Sequence, residues 1–250
     1  MSKVKLVVLG LLVVGGLFSY KLTNNRSKLV PVTSTFTEVT QERSVTNTTG
    51  ELTVKATNLE VGNDTVRLET VVTQQSVAVT INALEDIRKS GANKAYLLIN
   101  SPGGDVFAGL RLVNYMKASS MPVYTICNGL CASMAAHIHQ AGTKRLMTPT
   151  SILMFHPASG GTQGTIEQMT NRIKIIKQVV DELDGYIAKR SGVDYKEFKT
   201  ELATELWVET PEALQRHFAD GLVNLIGKEP VPEGSILEKS SYDYYLIEMH

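Results

Sequence analysis

Ala95-Tyr96-Leu97-Leu98-Ile99-Asn100-Ser101-Pro102-Gly103-Gly104 is an apolar run that ends in a Pro-Gly-Gly turn, and its reading decides the fold. Consecutive apolar residues without polar alternation suit a strand covered on both faces, the habit of parallel sheets. Beyond the glycines, Val106, Leu110 and Val113 recur at helical spacing, as do Val77, Ile81 and Leu84 upstream. Residues 123–127 repeat the apolar run and lead through Gly129 into a further helix near Ser133. Residues 144–147 and 152–155 read as two more strands. Strand and helix thus alternate, which predicts an α/β fold with a parallel-type core and right-handed crossovers.

Working outward, residues 51–72 are rich in β-branched side chains and broken by Gly62-Asn63-Asp64, so short strands around a turn are expected. The longest helix is predicted over 165–190. Its apolar residues Ile166, Met169, Ile173, Ile176, Val180, Leu183 and Ile187 alternate three and four apart, while Arg172, Lys174, Lys177, Asp181 and Glu182 occupy the other faces. So narrow a seam suits a contact between subunits. Gly192 should end this helix, Asp194 with Glu197 should box the start of the next, and Thr210-Pro211-Glu212 should open the last, which is expected to stop at Gly221.

The chain has 250 residues, 43% of them hydrophobic, enough for one sizeable core. Lys plus Arg and Asp plus Glu both total 25, so no global field draws in nucleic acid. Cys127 and Cys131 are too few for a disulfide framework and lack the partners of a zinc site, and they read as small buried hydrophobes. At the N-terminus, Lys3 and Lys5 precede an uncharged stretch from Leu6 to Tyr20. Residues 1–20 are therefore read as a targeting segment: a single membrane anchor, or alternatively a signal segment cleaved on export. Lys21, Arg26 and Lys28 beyond it balance the charges before it, so the side of the membrane stays open. Residues 21–50 read as a flexible tether, 51–228 as the folded domain, and 229–250 as a polar tail.

Three clusters sit at the ends of predicted strands, where open α/β sheets place their sites. In Asn100-Ser101-Pro102-Gly103-Gly104, the two glycines permit a sharp turn and leave bare N–H groups at a helix start, suited to an oxyanion or a phosphate. Gly129-Leu130-Cys131-Ala132-Ser133-Met134-Ala135 carries a serine at a strand-to-helix junction, and that segment by itself reads first as a helix cap. Phe155-His156-Pro157-Ala158-Ser159-Gly160-Gly161 delivers a histidine into a glycine-rich loop, and imidazole suits the removal of a serine proton. His137 and His139 are taken as packing or surface residues.

In order and spacing these clusters, with the later Pro211-Glu212-Ala213 and Gly221-Leu222-Val223, resemble the proteolytic subunit of the caseinolytic (Clp) protease family over roughly residues 67–226. The resemblance implies a Clp-protease/crotonase-like β-α superhelix with a long protruding handle helix, which the 165–190 helix would supply. It implies a serine endopeptidase acting on short or unfolded polypeptides, with Ser133 as nucleophile, His156 as its base, and the N–H groups of Gly104 and Met134 as oxyanion hole. Such chemistry takes no metal or cofactor. The family position that usually holds Asp falls on Glu205, counting back from Pro211, which departs from the family pattern. Glu can orient a histidine, although its extra methylene changes the reach; Asp184 and Asp194 are the substitutes, and a solvated loop carboxylate is the competing reading of Glu205. By the same likeness the chain would form a homo-oligomeric ring, with heptamers stacked in pairs. It would work with a separate ATP-dependent unfoldase if the domain is cytoplasmic. Two other readings stand beside this one: a catalytically silent subunit assembling at a membrane, and a crotonase-like enzyme acting on an acyl-CoA.

Overall fold

A computed structural model describes residues 39–47 and 50–226. The expected N-terminal segment, the tether up to residue 38 and the C-terminal tail lie outside them. Nine strands among the described residues form one sheet: β1 Val39–Asn47, β2 Gly50–Glu60, β3 Thr65–Leu68, β4 Ala95–Ser101, β5 Val123–Ala132, β6 Lys144–Met147, β7 Ile152–Phe155, β8 Leu206–Glu209 and β9 Gly221–Ile226. Their order is β1-β2-β9-β6-β5-β4-β3, with β7 paired to both β5 and β8. Only β1/β2 and β7/β8 are antiparallel. The helices are α1 Gln74–Lys89, α2 Val106–Ala118, α3 Met134–Gln140, α4 Ile166–Ser191, α5 Tyr195–Leu202 and α6 Thr210–Gln215.

The expected alternation is present, with differences that have physical causes. Val39–Asn47 is strand rather than tether; it gains its order by pairing along its whole length with β2. The last helix stops at Gln215, not Gly221, because 221–226 is needed as β9 between β2 and β6. The buried face of α2 is Ala108, Leu112, Val113 and Met116, while Val106 and Leu110 are only half-buried. Gly109 on that face lets α2 lie against Met134, whose side chain would meet a Cβ there at 2.3 Å.

Strand β5 is the branch point. Residues 124–127 pair with β6, whereas residues 130–132 pair with β7, and β4 flanks both halves. The switch is a bulge: Ile99 opposes Cys127 and Ser101 opposes Cys131, so residues 128–130 face Asn100 alone. Extra residues on one strand bend it and break its ladder. Here the loose donors are recovered by side chains, Leu130 N–H donating to Asn100 Oδ1 (3.2 Å) and Gly129 N–H to Ser151 Oγ (3.0 Å). Cys127 and Cys131 are fully buried, as their size suggests, but they are also joined to each other across the bulge, their Cα atoms 5.9 Å apart.

Helix α4 is capped at both ends as its sequence demands. Thr165 and Gln168 form a reciprocal box, and Gly192 closes the helix at φ 73°, a backbone shape most other residues resist. Asp194 caps α5 by accepting from Glu197 N–H (2.9 Å). Only the C-terminal half of α4 lies on the core, through Val180, Leu183 and Ile187. Its first half is largely exposed, Ile166 at 81% and Ile173 at 59%, and is tied to the preceding loop by Arg172 Nη1 donating to the Gln163 carbonyl (2.6 Å). Phe155, Phe198 and Phe218 close the core beneath, ring centroids 5.7–5.8 Å apart, each such pair adding about 0.5–1.5 kcal/mol beyond the area buried.

His139, on α3, is wholly buried. Its Nε2–H donates to the Leu146 carbonyl (3.0 Å) and its Nδ1 accepts from Gln140 Nε2 (3.2 Å), an arrangement only the neutral ring completes. Burial, partly opposed by the bond to Leu146 and joined by the nearby Arg145 charge, lowers the imidazole to about 4. The unfolded chain takes up this proton near pH 6.5 and the folded one does not, so stability is full above 6.5 and drains as pH falls toward 4, by roughly 3 kcal/mol at most. Thermal melting between pH 7.5 and 4.5 should therefore decline steadily, with a shallower slope in His139→Gln; equal slopes in the two proteins would remove His139 as the cause.

Candidate active site

Ser133 sits between β5 and α3 with φ 55° and ψ −125°. A residue with a Cβ reaches that region only under strain of order 1–3 kcal/mol, which must be imposed by its surroundings. Backbone hydrogen bonds on both sides of the residue impose it, with the His137 ring a further contact to its carbonyl. Ser133 N–H donates to Met154 O (2.8 Å), extending the β5/β7 ladder by one residue past its last pair. The Ser133 carbonyl accepts from the N–H of Ala136 (3.0 Å), starting α3. Another neighbour permits it: Gly103 passes so close that a Cβ there would meet Ala132 O at 2.6 Å and Ser133 Cβ at 2.7 Å. Ser133 occupies the N-cap position of α3, but its side chain makes no cap bond, and its hydroxyl is free among the described residues.

Gly104 forms a single parallel bridge with Val72, in which Val72 bonds Gly103 O and Asp105 N. That pattern uses the groups on either side of Gly104 and turns its own N–H away from Val72. Neither the Gly104 N–H nor the Met134 N–H meets an acceptor among the described residues. Both unpaired donors belong to residues that flank the Ser133 elbow, one on the neighbouring Gly103-Gly104 turn and one next in sequence.

His156 is the first residue past β7, two beyond the Met154 that holds Ser133, and is half-buried. Glu205 immediately precedes β8. Because Phe155 opposes Leu206 in the antiparallel β7/β8 ladder, the next position along it sets His156 against Glu205. The elements thus bring Ser133, His156 and Glu205 to adjoining strand ends. They do not close a hydrogen-bonded chain: among the described residues the His156 ring makes no hydrogen bond, and the exposed Glu205 carboxylate accepts from Trp207 Nε1 at 3.3 Å. Glu205 itself stands at φ 64°, which aims its side chain differently from a strand residue.

Of the substitute carboxylates, Asp194 is committed to capping α5 and Asp184 faces His137 and Lys199 rather than His156. Burial works to raise the Asp184 carboxyl, but hydrogen bonds from His137 and Lys199 outweigh it and hold it below its ordinary range. His137 is buried with a polar partner at each ring nitrogen, more than the packing residue its sequence position suggested. No motif marks that role; only the i, i+4 spacing from Ser133 hints at it.

A cleft of about 580 Å³ opens beside Gly104, walled by Phe107, the loop after His156, and Ile173, Ile176 and Lys177 of α4. Along α4 its wall mixes apolar Ile173, Ile176 and Val180 with charged Lys177 and Asp181. Among the described residues no helix is long and apolar enough to cross a membrane.

Comparison with known proteins agrees with the geometry. The Clp protease family profile matches residues 48–228. The ATP-dependent Clp protease proteolytic subunit of Porphyromonas gingivalis is 34% identical over 129 residues, 51% of this chain and 58% of that protein. The ATP-dependent Clp protease proteolytic subunit 1 of Prochlorococcus marinus is 32% identical over 139 residues, 54% of this chain and 69% of that one. This chain thus aligns with less than two thirds of the first of these relatives. With its glycine turn, serine elbow and strand-end histidine in family order, the chain belongs to the Clp protease family.

Proposed function

We propose that this domain is a serine endopeptidase that cuts short or unfolded polypeptides through an acyl-enzyme on Ser133. The observation that carries the reading is a serine held at φ 55° with a free hydroxyl, flanked by the unpaired N–H groups of Gly104 and Met134. Ser133 Oγ attacks the scissile carbonyl carbon while His156 takes its proton. The carbonyl oxygen becomes an anion and is held by the two N–H donors, one of which is typically worth ~10²–10³ in rate. Collapse of the intermediate breaks the C–N bond, the amine leaves with the proton from His156, and water, deprotonated by the same ring, releases the acyl group. Glu205 orients His156 and stabilises its charged form, once its carboxylate leaves Trp207. The cleft along α4 receives the peptide.

The exposed isoleucines of α4 support a second copy of the chain as the partner of that helix, within a ring of heptamers stacked in pairs. The names of both relatives include ATP dependence, which favours a separate unfoldase if the domain is cytoplasmic. The apolar residues 6–20 favour a single anchor in a membrane, or else a cleaved export signal. One observation favours a second reading, a silent assembly subunit: His156 bonds neither Ser133 nor Glu205 among the described residues.

Intact mass after a fluorophosphonate probe separates the two readings. A single adduct on the wild type and none on Ser133→Ala is expected; a folded, assembled wild type that takes no adduct selects the silent subunit. Glu205→Gln keeps the side chain's size and removes its charge, and peptide hydrolysis should slow by up to about 10⁴. An unchanged kcat in that variant would return Glu205 to the solvated loop.

A further inference from the structure

His137 lies one helical turn after Ser133, and its ring spans two elements. Nδ1 is 3.0 Å from the carbonyl oxygen of Ser133, and Nε2 is 2.9 Å from Oδ1 of Asp184 on α4. A carbonyl oxygen only accepts, so Nδ1 must carry a proton. Asp184 is an ionised carboxylate, since its other oxygen takes a bond from the Lys199 ammonium at 2.7 Å. Nε2 must then carry a proton as well. Both contacts are satisfied together only by the imidazolium. His139, two residues on, meets one acceptor and one donor and is satisfied by the neutral ring.

The charges around His137 balance. Lys199 also reaches Asp181 at 3.0 Å, so two cations face two carboxylates with the His137 and Asp184 side chains 6% and 2% exposed. Lys199 and Asp181 are about a third exposed, so removing His137 or Asp184, the buried pair, is what leaves an uncompensated buried charge. The set is also well placed. Phe155, the residue before His156, meets the His137 ring nearly at right angles, with centroids 6.1 Å apart. Asp181 and Lys199 line the cleft beside Gly104.

We propose that His137, doubly protonated, is a positioning residue: it clamps the Ser133 carbonyl to α4, holds the nucleophile in its left-handed backbone, and links that elbow through Asp184 and Lys199 to the cleft wall. The inference rests on the peptidase reading for its effect on rate, but its structural half does not. His137 touches no substrate; it acts through Ser133.

The test uses the full chain, wild type beside His137→Gln, Asp184→Asn and the double variant, with melting temperature, fluorophosphonate labelling rate, kcat and KM for a peptide, and a crystal structure of His137→Gln. The labelling rate and kcat should fall together by ~10- to 100-fold, the reach of one charge-assisted hydrogen bond, with KM little changed. The double variant should be no slower than the worse single, because the two residues act in series. In the crystal, Ser133 should leave φ near 55°. If the wild type labels and His137→Gln keeps both its labelling rate and its Ser133 backbone, the proposal is overturned while the peptidase reading survives. If the wild type takes no label, the peptidase reading fails, and the Ser133 backbone in the His137→Gln crystal still decides whether the clamp exists. Should His137→Gln not fold, Asp184→Asn carries the same comparison.

Discussion

The site depends on one strand changing partners in mid-course. β5 lies beside β6 for its first half and beside β7 for its second, and the bulge at residues 128–130 makes the change possible. Without it, β5 would continue along β6, β7 would have no edge to join, and Met154 would not be there to accept from Ser133 N–H. The donors that the bulge leaves loose, on exposed Gly129 and half-buried Leu130, are taken up by Ser151 and Asn100, and Ser151 is itself fixed by Thr148 and Thr210 in a buried hydroxyl cluster. The Cys127–Cys131 link spans the same three residues. The left-handed Ser133 is thus the last consequence of a chain of constraints beginning some six residues earlier in the strand.

Much of this was legible in the sequence, and what was not has physical reasons. Apolar runs at 95–99 and 123–127 mark strands largely buried on both faces, the run at 152–155 marks one buried at alternate residues, and each carries its candidate site residues at its C-terminal end. The first two stand out because burial on two sides permits little else. β1 and the bulge do not stand out. β1 is polar and owes its order to pairing with β2, which no local period records, and a bulge is visible only as a register between strands. The cysteines read as packing residues because two are too few for a disulfide framework and lack zinc-site partners, and nothing local shows the bulge that brings their Cα atoms to 5.9 Å. β9 was missed because its short stretch from Gly221 carries little signal of its own beyond the end of the expected helix, and only its neighbours β2 and β6 decide.

The two helical histidines show a finer limit. His137 and His139 share a short helix and a similar burial, and sequence reasoning treats them alike. What divides them is the chemistry of atoms brought in from afar: Asp184 on α4 for one, the Leu146 carbonyl on β6 for the other. A base wedged between two acceptors is charged, and one between an acceptor and a donor is neutral. That distinction lies entirely in tertiary contact, so no window along the chain contains it.

Glu205 combines both kinds of limit. Its place in the order of motifs is readable from Pro211, and the β7/β8 register independently sets it across from His156. Its reach is not readable. A left-handed residue projects its Cβ away from the line of the strand, and a glutamate adds a methylene that lets the carboxylate fold back onto Trp207. An aspartate in the same backbone has one methylene less with which to make that return. The longer side chain therefore trades a fixed partner for a choice between two, and the weak 3.3 Å bond to an exposed indole is a modest competitor to an imidazole gaining charge. On that comparison, the move of the Glu205 carboxylate from Trp207 to His156 that the proposed mechanism asks for gives up only a weak bond.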